Sequence, residues 1–277
     1  MLYELFTSLT TSCPQYVRHM DYLHEAIAMR ARYHRNQQAW QSHLDESRQV
    51  ILAAAEKCHD RRKAVVLGAG LLLDVPLDHL AGMFQELVLL DIVFLPEVVR
   101  KVKKYGNVKL VQHDVTNMAQ KLYENIQHGR SDLPEAAPMI PEIDDATGFV
   151  VSLNILSQLW VMPRAYALKM LRGLDDEQMD DWCLQIVAAH YAFLRSLRCR
   201  VCLIADHEFI KRDSSGRIVS RGSTVRGLKL LEPEVSWTWN IAPRGEEQRH
   251  LSNELIVGAW SRHLEHQSHN HEPGKRG

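Results

Sequence analysis

The sequence predicts an α/β fold in which a doubly wound, mostly parallel sheet ends in an antiparallel strand pair and carries an N-terminal helical cap. Five short apolar runs alternate with segments of helical periodicity, which is the pattern of a parallel sheet with crossover helices. A glycine turn, Gly68-Ala69-Gly70, directly follows the first apolar run. The last two apolar runs are too close in sequence for a crossover helix, so we expect them to pair antiparallel.

The size and composition of the chain fit one large α/β domain with a cap. Its 277 residues are 45% hydrophobic and 24% charged, as in ordinary globular proteins. We predict a helical cap over residues 1–62, a Rossmann-type domain over residues 63–262, and a His-rich, disordered tail over residues 263–277.

Composition also argues against several classes of function. No apolar run reaches the length of a membrane span, and the first residues lack the basic flank of a signal peptide, so we expect no membrane partner. The formal net charge of −1 gives no reason to expect a nucleic-acid partner. Cys199 and Cys202 form a single CxxC at the start of an apolar run. We expect core cysteines there and a reduced, cytoplasmic setting.

Residues 14–63 are predicted to be helical, with breaks near residues 33–36 and before Arg61. Apolar residues recur in this segment at helical spacing. The cap is therefore expected to pack on the sheet edge or over a pocket. Its histidines show no metal-ligand spacing, and we expect surface or interhelical positions for His19, His24, His34 and His43.

The first clear sign of a ligand lies in residues 63–91. Residues 64–67 predict a buried parallel strand, residues 77–84 a helix and residues 86–93 a second buried strand. The small residues of the glycine turn let backbone N–H groups approach a ligand, although such turns also occur without one. Asp91 follows Gly68 by 23 residues, and an acid at this place can accept two hydrogen bonds from a ribose diol. The stretch indicates a nucleoside-cofactor pocket.

The remaining elements continue the alternation. Helices are predicted over residues 97–105 and 117–127, from Pro163, and over residues 175–197; strands are predicted over residues 108–115, 149–153, 200–205, 237–241 and 251–260. Residues 131–148 are predicted to form an acidic surface loop, and the basic residues 211–229 a hairpin or lid. No aromatic residue is interleaved in the basic segment to stack on bases, so we expect a solvated face or contact with an anionic small substrate.

Polar residues gather where the predicted parallel strands end. They are Gly68 and Gly70, Asp91, Asp114, Asn154, and Asp206 with His207. The carboxyl ends of parallel strands meet at one edge of a doubly wound sheet, and ligands bind there. We therefore expect these residues to share one pocket.

At these positions the chain resembles the class I S-adenosylmethionine-dependent methyltransferases, over roughly residues 35–260. VVLGAG is similar to the first motif, which implies that Gly68, Ala69 and Gly70 lie under the methionine part of the cofactor. LLD ends in Asp91, which the resemblance assigns to the ribose, with Ile92 beside it.

Two further motifs extend the resemblance. QHDV is similar to the motif that reads the adenine amino group, which implies that role for Asp114, with Val115 beside it. VVSLNILSQL is similar to the fourth motif, which implies that Asn154 lies near the transferred methyl group. The last two strands are similar to the reversed final strand pair of the family.

The resemblance implies S-adenosylmethionine as the cofactor and methyl transfer to a small-molecule acceptor. The chain departs from the family at Val66, where an acid is usual, and at Leu72, the third position of GxGxG. A catalytically inactive methyltransferase-like binding or interaction protein is therefore one alternative. A nicotinamide-dependent oxidoreductase is another, although Leu73 replaces the third glycine of its fingerprint. A nucleic-acid methyltransferase is a weaker option.

The residues also suggest roles in the chemistry. His207 is a candidate base, needed when the acceptor carries a proton, or else a hydrogen-bonded loop histidine. Asn154 and Ser157 are expected to hold the substrate or the amino-acid part of the cofactor, or else to cap the next helix. Asp206 is a candidate substrate ligand, and we predict no metal site, because neighbouring residues on an extended segment point apart.

Overall fold

A computed structural model describes residues 2–261. Its helices are α1 (Leu2–Thr10), α2 (Gln15–His19), α3 (Tyr22–Glu56), α4 (Leu77–Met83), α5 (Pro96–Val102), α6 (Ala119–Gln127), α7 (Val161–Met170) and α8 (Asp176–Ser196). Its strands are β1 (Lys63–Leu67), β2 (Glu86–Asp91), β3 (Val108–Gln112), β4 (Thr147–Leu153), β5 (Arg200–Arg212), β6 (Ile218–Ser223), β7 (Val235–Ala242) and β8 (Ser252–Trp260). The predicted tail lies outside the described residues, and the proposed domain boundaries stay a prediction.

The sheet has the order β3-β2-β1-β4-β5-β8-β7. The pairs among β1 to β5 are parallel, whereas β8 pairs antiparallel with both β5 and β7. Strand order therefore reverses at β1, between β2 and β4. The predicted fold class, a doubly wound sheet with a terminal antiparallel pair and N-terminal helices, is confirmed.

Helices cover both faces of the sheet because its central strands are apolar on both sides. Every residue of β1 and β4 is buried. Ala64 and Val66 pack in the core under α3, α4 and α5, while Val65 and Leu67 pack in the core under α8. This two-sided burial is the physical reason that a continuous apolar run, rather than an alternating one, forms these strands.

The N-terminal cap differs in detail from the prediction. The break expected near residues 33–36 is present as a kink at Asn36, whose φ is −119°. The side-chain amide of Asn36 donates to the carbonyl of Arg32 at 3.0 Å, a bond that competes with the helix ladder. A second interruption, at Asp21 with φ of 63°, was not predicted, nor was α1.

The fifth strand is longer than predicted. It was expected to end at Ala205, but β5 runs to Arg212, so Asp206, His207 and Glu208 lie inside it. The prediction was wrong because pairing with β8 and β6 extends the strand, and neither partner is local in sequence. A β-bulge between Asp206 and Glu208 shifts the register there. The basic segment forms the hairpin partner β6, and β3 ends at Gln112, two residues before Asp114.

Helix α3 packs against the far edge of the sheet. Trp40 donates its indole N–H to the carbonyl of Ile241 at 3.0 Å, and its ring meets that of Trp239 edge to face, with centroids 5.1 Å apart. Among the described residues, no helix is both long and apolar enough to cross a membrane. Because α3 also reaches the carboxyl ends of the strands, it forms one wall of the site described next.

Candidate functional site

A cavity of about 500 Å³ lies at the carboxyl ends of the parallel strands. That volume is in the range of small-molecule and cofactor pockets. Ten of the predicted site residues line it: Gly68, Ala69, Gly70, Asp91, Ile92, Asp114, Val115, Asn154, Ser157 and Asp206. The structure therefore brings together residues that are 138 positions apart at the extremes, as the clustering at strand ends predicted.

The glycine turn joins β1 to the end of β2. The backbone N–H groups of Gly68 and Ala69 both donate to the carbonyl of Leu90, at 2.9 and 3.1 Å. Gly68 has a φ of 82°, and a Cβ there would stand 2.2 Å from the Cγ2 atom of Ile155. Gly70 has a φ of 44° and open space around it apart from Asp91. The first glycine is required by packing, whereas the second leaves backbone exposed to the cavity.

The carboxylate of Asp91 is held by the turn. Its Oδ2 accepts from the N–H of Gly70 and its Oδ1 from the N–H of Ile92, both at 2.8 Å. Burial raises the pKa of Asp91 to about 6. The N–H of Val93 also donates to Oδ1, at 3.5 Å. A carboxylate has about four lone-pair positions, so three are occupied and Oδ2 can still accept one further donor. This position could accept a hydroxyl group of a ribose.

Asp114 also lines the cavity, but both of its carboxylate oxygens already accept hydrogen bonds from the protein. Oδ1 accepts from the backbone and hydroxyl of Thr116 at 2.9 and 2.6 Å. Oδ2 accepts from the N–H groups of Met118 and Ala119 at 2.9 and 2.7 Å, at the start of α6. With four donors in place, the carboxylate has no free position for an adenine amino group. The predicted reading of adenine by Asp114 stays untested, and this hydrogen-bond pattern disfavours it.

A buried polar chain borders the other half of the cavity. Asn154, with a φ of 52°, donates its amide N–H to Oδ2 of Asp74 at 2.8 Å, and the same nitrogen lies 3.3 Å from Nε2 of His43. The indole N–H of Trp237 donates to Nδ1 of His43 at 3.0 Å. Burial raises the pKa of Asp74. Asn154 caps no helix through its side chain; it ties the end of β4 to α3 and to the loop after the glycine turn.

His43 is the main site residue that sequence reasoning missed. It was expected at the surface or between helices, yet it is only 1% exposed and lies stacked on Trp239, with ring centroids 3.9 Å apart. Burial lowers the pKa of His43 to about 3, so the ring is neutral. Neither His43 nor Asp74 belongs to a sequence motif. The helical periodicity around His43 predicts a helix and gives no indication of a cavity. Only the packing of α3 on β7 places it there.

Asp206 and Ser157 form a second buried pair in the lining. The hydroxyl of Ser157 donates to Oδ1 of Asp206 at 2.7 Å. Asp206 is 3% exposed, and this burial raises the pKa of its carboxyl. Ser157 therefore does not cap α7 through its hydroxyl, as one of its predicted roles would require.

His207 is the predicted site residue that the structure does not bring to the cavity. It follows Asp206 on β5, so its side chain leaves the opposite side of the strand, where its ring meets Trp260 edge to face at 6.2 Å. Its Nε2 atom is buried and has no hydrogen-bond partner within residues 2–261. A role for His207 as base stays a prediction without geometric support.

The two departures from the family motif have clear structural counterparts. Val66 is fully buried in the core, where a carboxylate would have no partner to offset its burial. Leu72 is 3% exposed and has a φ of 58°, a left-handed conformation that leucine rarely adopts. The third glycine position thus keeps a glycine-like backbone while its side chain fills the core.

The first half of helix α3 lies over the cavity and contributes charged side chains to its lining. Its lining residues before the kink include Glu25, Met29 and Arg32. The whole lining holds one guanidinium, that of Arg32, against five carboxyl groups: Glu25, Asp74, Asp91, Asp114 and Asp206. The cavity is therefore acidic. Within the part of the chain that the structure describes, no group of three or more His, Cys, Asp or Glu is arranged to hold a metal ion.

No protein-family profile and no curated protein matches this sequence. Solved structures match it at low identity. The complex of DhpI with SAM and HEP shares 11% identity over 88% of this chain and 99% of its own, with a TM-score of 0.35. The Burkholderia thailandensis 1,6-didemethyltoxoflavin-N1-methyltransferase, bound to 1,6-didemethyltoxoflavin and S-adenosylhomocysteine, shares 15% over 86% and 90%, with a TM-score of 0.33.

The Haemonchus contortus phosphoethanolamine N-methyltransferase 1, in complex with phosphoethanolamine and S-adenosylhomocysteine, shares 11% identity over 82% of this chain and 44% of its own, with a TM-score of 0.32. Several of the matched proteins are methyltransferases. The strand order β3-β2-β1-β4-β5-β8-β7, with its reversed final pair, gives this chain the class I methyltransferase-like fold.

Proposed function

We propose that this protein transfers a methyl group from S-adenosylmethionine to a small molecule. The observation that carries the proposal is the convergence of the motif residues on one cavity, with the Asp91 carboxylate able to accept a further donor. This geometry matches the acid that the resemblance assigns to the ribose. It lies beside a glycine turn at the point where the strand order reverses, which is the usual ligand position in doubly wound sheets.

The residues present fit the cofactor. Asp91 would hold a ribose hydroxyl, the open backbone of Gly70 would lie under the methionine part, and Ile92 and Val115 would supply apolar walls beside the adenine. Bound there, the cofactor supplies an activated methyl group on a sulfonium. The chain's own task is then to align an acceptor with that methyl and to exclude water, which the covering helix α3 supports.

Two features favour this function over its alternatives. A pocket filled by the protein's own side chains would favour an inactive interaction protein. The cavity here is instead open, with a volume of about 500 Å³. A nicotinamide-dependent oxidoreductase would be favoured by a third glycine and an all-parallel sheet, whereas position 73 is leucine and β8 runs antiparallel.

The test is thermal unfolding with S-adenosylmethionine, S-adenosylhomocysteine or NADH. A ligand at about 100 times its dissociation constant adds about 2.7 kcal/mol to stability, which shifts the midpoint of a chain of this size by several degrees. We expect a shift with both adenosyl ligands and none with NADH. A shift with NADH alone would favour the oxidoreductase, and no shift with any ligand would favour the inactive interaction protein.

A further inference from the structure

The carboxylates that line the cavity differ in the hydrogen-bond partners that they already have. Asp114 is saturated by the donors that begin α6, and Asp91 is held by the turn next to the cofactor position proposed above. Asp74 is bonded by the amide of Asn154, and the guanidinium of Arg48 acts on it as well. Asp206 accepts from the neutral hydroxyl of Ser157 and is in no salt bridge within the described residues. Asp91 and Asp114 have no salt bridge there either, but their oxygens accept several backbone N–H groups, whereas the carboxylate of Asp206 keeps acceptor positions open for a ligand.

The position of Asp206 separates it from the cofactor half of the cavity. The glycine turn and Asp91 stand at β1 and β2, whereas Asp206 stands on β5, beyond β4 in the order of the sheet. The bulge between Asp206 and Glu208 occurs at this point in the strand. An acceptor that meets Asp206 would therefore lie across the β4 edge from the cofactor, with Asn154 between them.

The walls around this half of the cavity are apolar. Trp239 and Ile241 come from β7, Leu255 from β8, and Met162 from α7. The polar chain of Asn154, Asp74 and His43 lies on the same side. Apolar walls beside the carboxylate of Asp206 suit a ligand that has an apolar body and a charged or N–H-bearing end. A buried carboxylate without a cation is costly, and a cationic ligand group would offset that cost.

We propose that the methyl acceptor is a small amine with an apolar body, whose ammonium group is bound by Asp206; this rests on the methyltransferase function proposed above. Asp206 also takes the proton that the ammonium must lose before its nitrogen lone pair attacks. The N–C bond then forms as the S–CH3 bond breaks, and the bonding electron pair of the latter stays on sulfur. Ser157 positions the carboxylate through its hydrogen bond.

The experiment uses the full chain saturated with S-adenosylhomocysteine and three probes of the same shape: benzylamine as the cation, benzyl alcohol as the neutral form and benzoate as the anion. Binding is followed by ligand-observed NMR and by thermal shift. We expect benzylamine to bind at least about tenfold more tightly than either of the others, because it alone completes a charge-assisted hydrogen bond. Equal or tighter binding of the alcohol or the anion would overturn the amine assignment.

Three variants sharpen the test. Asp206→Asn should weaken benzylamine binding at least about tenfold while the Kd for S-adenosylhomocysteine changes less than about twofold. Ser157→Ala, a milder change, should weaken benzylamine binding in the same direction if Asp206→Asn fails to fold. Glu208→Gln removes the same charge from the same strand outside the cavity and should leave both ligands unaffected.

The outcomes separate the two proposals. Retained amine binding in Asp206→Asn, with intact binding of S-adenosylhomocysteine, refutes the amine site and leaves the methyltransferase proposal standing. Failure of the wild-type protein to bind S-adenosylhomocysteine refutes both.

Discussion

The indole N–H of Trp237 donates a hydrogen bond to Nδ1 of His43 over 3.0 Å. An indole nitrogen can only donate, so Nδ1 must be the unprotonated nitrogen of the imidazole. The ring is neutral, and its proton therefore lies on Nε2, facing the amide of Asn154. His43 consequently cannot act as a base toward the cavity; its Nε2–H group points at the side-chain amide of Asn154.

This tautomer links His43 to the protonation of Asp74. When Asp74 is ionised, the Asn154 amide donates to it, and the Nε2–H of His43 lacks an acceptor. When Asp74 is protonated, the amide can turn over and its oxygen can accept from both neighbours. Burial raises the pKa of Asp74, which favours the protonated arrangement.

A pair of substitutions at position 74 tests this network. Asp74→Asn keeps a hydrogen-bonding group without a buried charge, so we expect the free energy of unfolding to stay within about 1 kcal/mol of wild type. Asp74→Ala leaves the Asn154 amide without that partner and should cost about 1–3 kcal/mol. The measurement is urea unfolding at pH 7. Equal losses in the two variants would contradict the network.

Acid stability depends on buried histidines. His190 is fully buried against the hydroxyl of Ser152, and burial lowers its pKa to about 4. Since the unfolded chain takes up a proton below pH 6.5 and the folded chain does not, His190 costs stability as pH falls from 6.5 toward 4. At pH 4.5 this loss is about 2.7 kcal/mol for one histidine.

Denaturant unfolding of His190→Gln across this pH range checks the effect. The raised pKa of Asp91 works in the opposite sense between pH 6 and 3.8 in wild type and variant alike, so it cancels in the comparison. We expect a shallower loss of stability in the variant. The matched control, His24→Gln, replaces an exposed histidine and should keep the wild-type slope. An unchanged slope in His190→Gln would disprove the assignment.

Asp91→Ala should abolish the binding of S-adenosylhomocysteine while the fold stays intact. Loss of a hydrogen bond to a charged acceptor amounts to about 1.5–3 kcal/mol, or at least about tenfold in Kd, and the variant also loses the carboxylate that holds the turn at Gly70. Calorimetric titration measures this, and Asp132→Ala is a control at an exposed carboxylate outside the cavity. If the Asp91 variant binds as tightly as wild type, the site is misassigned.

The affinity for S-adenosylhomocysteine should also depend on pH. In the proposed site the ionised carboxylate of Asp91 accepts a ribose hydroxyl, and burial raises its pKa to about 6, so protonation should compete with the ligand below that pH. We expect affinity at pH 5 to be about tenfold weaker than at pH 7.5. Asp91→Asn should flatten this dependence in whatever binding remains. A flat profile in the wild type would argue against contact between Asp91 and the ligand.

Leu72 offers a test of the unusual turn. At a φ of 58°, alanine is strained and glycine is not, although both lose the buried leucine side chain. Leu72→Gly should therefore be less destabilising than Leu72→Ala by about 1 kcal/mol, which reverses the order found inside regular elements. Thermal unfolding of the two variants decides this, and the usual order would contradict the left-handed conformation.

Local sequence determined the fold class and one half of the candidate site. Apolar runs of strand length, the glycine turn and the acid that ends β2 are local signals, because each depends on the burial or backbone freedom of neighbouring residues. They placed the turn, Asp91, Asn154 and Asp206 at one edge of a parallel sheet, and the structure brings them into one cavity.

Tertiary structure alone decided the other half. His43 lies in the site because α3 packs on β7, some 200 residues later in the chain. Strand β5 extends beyond its predicted end at Ala205 because β8 and β6 pair with it. Along the extended β5, side chains alternate between the two faces of the sheet, so Asp206 lies in the cavity and His207 outside it. Such contacts join residues far apart in sequence, so no local periodicity or motif can carry them.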